Sequence, residues 1–154
     1  MSAFWDDLVR HIGRNTLFVD TCAILNYFAE DDLFRLFFQS APGYRYVTST
    51  YVITEVARRL VKTKTPNAFI GPGREYCKEL SLHILEKWLD EWNVYLIHLP
   101  EEEFNVAVST YSEKSFVDCD LTDVISYTIV TGMGKDEILS GDAHFSKLSL
   151  RLLP

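Results

Sequence analysis

An α/β sandwich around a mostly parallel central sheet is the fold class this sequence predicts. Short apolar runs of strand length alternate with amphipathic segments of helix length, the order that builds parallel sheets covered by helices. The 154 residues, 47% of them hydrophobic, suffice for a sizeable core. No repeat or low-complexity tract interrupts the chain, so residues 1–154 are expected to form a single domain.

Phe4, Trp5, Leu8, Val9 and Ile12 share one face of a first helix, which Gly13 is placed to end. TLFVD then reads as a short buried strand ending in Asp20. CAILNYFAE and DDLFRLFFQ follow as two helices, the second with Asp31 or Asp32 as N-cap. After the turn APG comes the strand YRYVTS and then the helix STYVITEVARRLVKTK. Its apolar side is Val52, Ile53, Val56, Ala57, Leu60 and Val61. Two prolines and two glycines in residues 63–74 predict a loop. EYCKELSLHILEKWLDEW is the next helix and VYLIHL the next strand. Pro100 and the three glutamates after it open another helix, where acidic side chains suit the positive end of the helix dipole. LTDVISYTIVTG is a helix, EILSGD a strand, and LRLLP an edge strand.

Composition narrows the function. No stretch approaches the roughly 18 apolar residues of a membrane span, and the N-terminus does not read as a signal peptide, so a soluble cytoplasmic protein is expected. Cys22, Cys77 and Cys119 are odd in number and far apart, which argues against a disulfide framework or a zinc cage. The net charge of −7 argues against a nucleic-acid partner until its distribution is considered. Between Arg58 and Lys78 stand Arg58, Arg59, Lys62, Lys64, Arg74 and Lys78 against Glu75 alone, one basic stretch in an acidic chain.

In open α/β sheets, ligands gather beyond the carboxyl ends of the strands. Four carboxylates fall there. Asp20 and Asp142 end strands, Glu55 sits early in the helix after the second strand, and Asp123 starts a helix with Thr122 as its expected N-cap. Each has a plainer reading. Asp20 is a helix cap, Glu55 an exposed i,i+4 partner of Arg59, Asp123 a favourable charge at a helix start, and Asp142 a turn former. Those readings do not explain why all four share one end of the sheet. Like charges at about 4 Å repel by about 4 kcal/mol at an effective dielectric near 20. A divalent cation removes that cost, and an all-oxygen acidic site suits Mg²⁺ or Mn²⁺. Such an ion activates water for phosphodiester hydrolysis, and the basic stretch Arg58, Arg59, Lys62 and Lys64 would hold the nucleic-acid backbone beside it. Thr21, Ser126 and His144 fall at the rim. Ser126 has the alternative of bonding its own helix backbone. His11, His83 and His98 show no metal-ligand spacing and read as structural or surface residues. Phe34, Phe37 and Phe38 read as core or dimer surface.

FVDTCAIL, the helix bearing Glu55, LTDVISYTIV, and ILSGDAHFSKL running into LRLLP together resemble the PIN-domain nucleases, most closely the VapC-type toxins of prokaryotic toxin–antitoxin pairs. The resemblance covers about residues 16–154 and implies a three-layer PIN-like sandwich. Asp20, Glu55, Asp123 and Asp142 match the family's four acidic positions in order. The resemblance further implies a Mg²⁺- or Mn²⁺-dependent endoribonuclease, its metal held chiefly by Asp20 and Asp123, with Glu55 and Asp142 assisting through water. It implies an RNA substrate, a homodimer, and an antitoxin that blocks the site with a basic side chain. The helix over 1–14 and the loop over 63–74 depart from the pattern.

Two other readings compete. Asp118, Cys119, Asp120, Leu121 and Thr122 spell D-x-D-x-T, which resembles the nucleophile motif of haloacid-dehalogenase-like phosphatases, with Asp118 attacking phosphate. That motif normally ends a first strand, whereas here only residues 123–154 follow it. A PIN-like fold that binds RNA or protein without catalysis is the other; the four filled acidic positions disfavour it.

Overall fold

A computed structural model describes residues 2–29, 31–40, 43–62 and 74–154. The expected loop over 63–74 lies outside them except for Arg74, as do Lys64 and the side chains of Lys62 and Cys77. The strands are β1 (Thr16–Val19), β2 (Arg45–Ser49), β3 (Tyr95–Ile97), β4 (Glu137–Leu139) and β5 (Arg151–Leu153). The helices are α1 (Ala3–Ile12), α2 (Thr21–Phe28), α3 (Asp32–Ser40), α4 (Thr50–Lys62), α5 (Arg74–Glu91), α6 (Glu101–Tyr111), α7 (Leu121–Gly132) and the single turn α8 (His144–Lys147). Every expected strand and long helix is present. Sequence periodicity had no hold on α8 or on the 3₁₀ turn Lys114–Phe116, both too short to show a period.

The strands form one parallel sheet in the order β3-β2-β1-β4-β5. All four residues of β1 are buried, because a parallel sheet carries helices on both faces and its central strand meets water on neither. The chain moves outward from β1 through β2 to β3, then crosses back to β4 on the other side of β1. Right-handed crossovers put α2 to α5 on one face and the helices after β3 on the other. Most of the packing follows this division, with α2 against α3 and α4, α4 against α5, and α6 against α7; α4 also meets α7. The result is the expected three-layer sandwich. The point where the strand order reverses lies between β1 and β4, the usual ligand position in such sheets.

α1 joins the α6–α7 layer through Trp5. The indole is 5% exposed, its Nε1 donates to Glu103 Oε2 at 3.1 Å, and Ser2 Oγ donates to the other carboxylate oxygen at 2.6 Å. The ring lies on Gly132, where an added Cβ would sit 2.3 Å from Trp5 Cε2. No helix among the described residues is long and apolar enough to cross a membrane. Gly132→Ala should therefore push Trp5 off its seat and cost about 1–3 kcal/mol, read as a lower midpoint in urea unfolding. An unchanged midpoint would show that α1 contributes little to the packed core.

Phe34 and Phe38 are core residues, and Phe38 stands among Tyr27, Tyr46, Trp88 and Trp92. Cys22 and Cys119 are free thiols.

Candidate active site

Asp20 follows directly on β1. Its backbone N–H still pairs with Leu139 of β4, and its carboxylate caps α2 by accepting from the Cys22 N–H at 3.4 Å. The capping role read from the sequence is thus real, but it occupies only one oxygen. Oδ2 takes both the Cys22 N–H and the Ser140 hydroxyl, the latter at 3.0 Å. Oδ1 is buried with no hydrogen-bond partner. A carboxylate 2% exposed with an unmatched oxygen is costly in its charged form, and burial raises its pKa from 3.8 to about 6 despite those hydrogen bonds.

Ser140 is the residue that sequence reasoning missed. Next after β4, it donates to Asp20 Oδ2 and accepts the Asp142 N–H at 3.0 Å, so one hydroxyl ties the two strand-end aspartates together. Its signal was position alone: it follows an apolar strand and stands two residues before Asp142. Asp142 Oδ1 accepts the His144 N–H at 2.9 Å and lies 3.1 Å from His144 Nδ1, an ion-pair distance without the alignment of a hydrogen bond.

Asp123 does not begin its helix behind Thr122. The N-cap of α7 is Asp120, whose side chain accepts the Asp123 N–H at 2.8 Å, while Asp123 Oδ2 accepts the Asp120 N–H at 3.3 Å. Aspartate and threonine both cap well, and here the residue three positions ahead completes a reciprocal capping box. Burial, then the charges of Asp120 and Asp20, raise Asp123 from 3.8 to about 7.

Glu55 makes the i,i+4 pair with Arg59 that its spacing allows, though as a partly buried rather than an exposed group. Its carboxylate lies 3.6 Å from the Arg59 guanidinium one turn on, and it accepts the Thr21 hydroxyl at 3.2 Å. Asp20, Glu55, Asp123 and Asp142 all line one cavity of about 230 Å³, together with Thr21, Arg59 and His144. Among the described residues, the donor atoms that come within 4.8 Å of one another belong to Asp123, Asp142 and His144. Asp20, expected as a chief ligand together with Asp123, is not in that group; its Oδ2 is taken by Ser140 and the start of α2.

Ser126 is not at the rim: it is 0% exposed and does not line the cavity. Nor does its hydroxyl bond the helix backbone, since Oγ has no partner. Thr21 lines the cavity although only 4% exposed, and its hydroxyl donates to Glu55. Arg58 is exposed and turns to a neighbouring depression. The D-x-D-x-T spelling loses its meaning here: a turn and the 3₁₀ segment precede Asp118, where a phosphatase nucleophile needs a strand end, and Asp120 is engaged as a cap. Asp118 and Asp120 do line the cavity mouth as exposed residues.

The donor set fits a hard divalent cation. It is almost wholly carboxylate oxygen, it holds a buried unpartnered oxygen on Asp20, and its like charges raise one another's pKa values.

No family model matches the sequence, and no curated protein matches it. Solved structures do. The chain superposes on the *Mycobacterium tuberculosis* toxin VapC20, described as cleaving the sarcin–ricin loop, with a TM-score of 0.68 at 17% identity, over 90% of this chain and 99% of that one. It also superposes on a chain of VapBC2 from *Rickettsia felis*, solved bound to promoter DNA, with a TM-score of 0.58 at 12% identity, over 89% and 96%. The chain thus has the fold of the VapC-type PIN domains.

Proposed function

We propose that this chain is a Mg²⁺- or Mn²⁺-dependent endoribonuclease and the toxin of a toxin–antitoxin pair. The observation that carries the proposal is the unpartnered, buried Oδ1 of Asp20 in a cavity shared by Glu55, Asp123 and Asp142. Clustering of like charges at this energetic cost has a chemical use when a cation binds. Held by these residues, such a cation would supply a water of lowered pKa and neutralise charge on the phosphate.

In this reading Asp20 offers Oδ1 while Ser140 fixes its other oxygen. Asp123 and Asp142 complete the oxygen set, with His144 beside them. Glu55, held by Thr21 and Arg59, orients the attacking water on the α4 side. Arg58, Arg59, Lys62 and Lys64 attract the RNA backbone. The toxin role draws on the fold shared with VapC20 and VapBC2. An antitoxin partner and a homodimer accord with the apolar side chains that α3 leaves in water, Leu33 at 61% and Leu36 at 58% exposed. A cytoplasmic location accords with an RNA substrate.

Purified protein freed of any partner should cut RNA with Mg²⁺ or Mn²⁺ and not with EDTA. Cleavage that persists in EDTA, or that survives Asp123→Asn, would remove the metal site from the mechanism. Ser140→Ala should weaken metal binding or turnover by about 10–100-fold, the usual effect of removing a support behind a ligand, with little change in fold. Titration of the activity with Mn²⁺ checks this, and an unchanged half-saturation and rate would leave Ser140 a purely structural residue.

A further inference from the structure

We infer that the depression beside the carboxylate cavity is a subsite for the nucleotide that flanks the scissile phosphate of a single-stranded RNA, with Arg58 as its phosphate contact; this rests on the nuclease reading. The two hollows are adjacent, since Glu55 and Asp120 line both. The carboxylate cavity, about 230 Å³, is smaller than a usual ligand pocket, whereas its neighbour measures about 680 Å³. That lies within the roughly 300–1,000 Å³ typical of small-ligand sites. A phosphodiester seated among the carboxylates has this depression as the shaped continuation of its path.

The lining suits a nucleotide. Tyr51 and Leu121 supply apolar surface, and the Tyr51 ring is fixed by stacking on Phe104 at 5.7 Å and 11°. Thr50, Thr54 and Thr122 bring hydroxyls suited to ribose and base edges. Charge runs in the matching direction. Consecutive arginines diverge: Arg59 faces Glu55 in the acidic cavity, while exposed Arg58 lines the depression and makes no ion pair among the described residues. The carboxylates of the cavity and the Arg58 guanidinium in the depression beside it fit a backbone that leaves the reaction centre and presents its next phosphate to Arg58. A base stacked within a duplex does not reach such a hollow, whereas an unstacked one does.

The test measures binding apart from cleavage, by fluorescence anisotropy of a labelled single-stranded RNA on full-length protein in Ca²⁺, over a series of salt concentrations. Arg58→Ala should weaken binding roughly five- to tenfold and lower the salt slope by ~0.7, the loss of one phosphate contact on a single strand. Thr54→Trp, which fills the depression from an exposed position on α4, should weaken binding comparably. Arg10→Ala, the same charge change on α1, should leave the slope unaltered. Both effects should vanish when the RNA is annealed to its complement. Variants at Arg58 and Thr54 that bind like wild type sink the subsite whether or not RNA is cut, and so does wild-type protein that binds no RNA. Variants that change the sedimentation of the protein but not RNA binding make the depression a protein interface and also overturn the proposal. Wild-type protein that binds RNA in this way yet never cuts it with Mn²⁺ defeats the nuclease reading and leaves the subsite standing.

Discussion

Asp20→Asn is expected to lower RNA cleavage by about a hundred- to a thousandfold while raising the melting temperature of the metal-free protein. The loss follows from removing a charge aimed at the reaction centre, where single preorganised groups carry effects of that size. The gain follows from burial. Asp20 is 2% exposed and its pKa rises from 3.8 to about 6, so keeping it ionised at pH 8 costs the fold up to about 3 kcal/mol. Asparagine keeps the shape and the acceptor for Ser140 and the Cys22 N–H, and it caps α2 as well as aspartate does. Its amide, left without an acceptor in the Oδ1 position, returns part of the benefit. A rise of several degrees remains at this chain length, since 1 kcal/mol moves the midpoint by roughly 2–4 °C. A buried residue that only caps a helix would show the gain in stability without the loss of cleavage. Asp20→Asn protein with wild-type cleavage would reduce Asp20 to its capping role.

The second large effect is in the pH dependence of stability. Asp20 and Asp123 bind protons more tightly folded than unfolded, with folded values of about 6 and about 7 against 3.8. Well below pH 4 both states hold these protons and the groups contribute nothing. As pH rises from about 4 through 7 the unfolded chain releases its protons first, so stability falls, and above about 7 the whole cost is present. Asp123 is half-buried, and solvent softens its share. In EDTA, thermal melts should therefore show a lower midpoint at pH 8 than at pH 5.5. Mn²⁺ should raise the midpoint strongly at pH 8 and weakly at pH 5.5, because the ion competes with protons for the same oxygens. Cleavage should decline with acid over the same window. Equal responses to Mn²⁺ at the two pH values would contradict a cation held by these two carboxylates.

Much of the fold was written in local patterns that tertiary contacts had no reason to override. β1 and β4 are short apolar runs ended by polar residues, and their central place in a parallel sheet follows from burial on both faces. Asp20 and Asp142 were visible for the same reason, as charges just after buried runs. Glu55 was harder, since a helix surface position one turn before an arginine has an ordinary explanation, and that explanation is also true. The cap of α7 was misplaced because Asp120 and Thr122 are both good caps, two positions apart, and only the backbone path chooses between them. Ser126 and Ser140 show the limit most clearly. Both are serines near an aspartate of the site, yet Ser126 is buried with its hydroxyl unpartnered while Ser140 grips Asp20 from just beyond the neighbouring strand. Sequence spacing does not report which side of a helix faces a cavity, nor a bond across 120 positions of chain.

The reciprocal cap at the start of α7 has a consequence for local motion. Asp123 Oδ2 closes the first turn by accepting the Asp120 N–H, and the same carboxylate faces the cavity. Whatever neutralises or recruits that carboxylate also changes how firmly the helix start is latched, an interaction worth about 0.5–2 kcal/mol at such positions. The amides of Asp120 and Asp123 are thus natural reporters of events in the cavity: their exchange with solvent should quicken when Asp123 is protonated and slow when its charge is held in place, so that the order of one helical turn records the state of the whole carboxylate cluster.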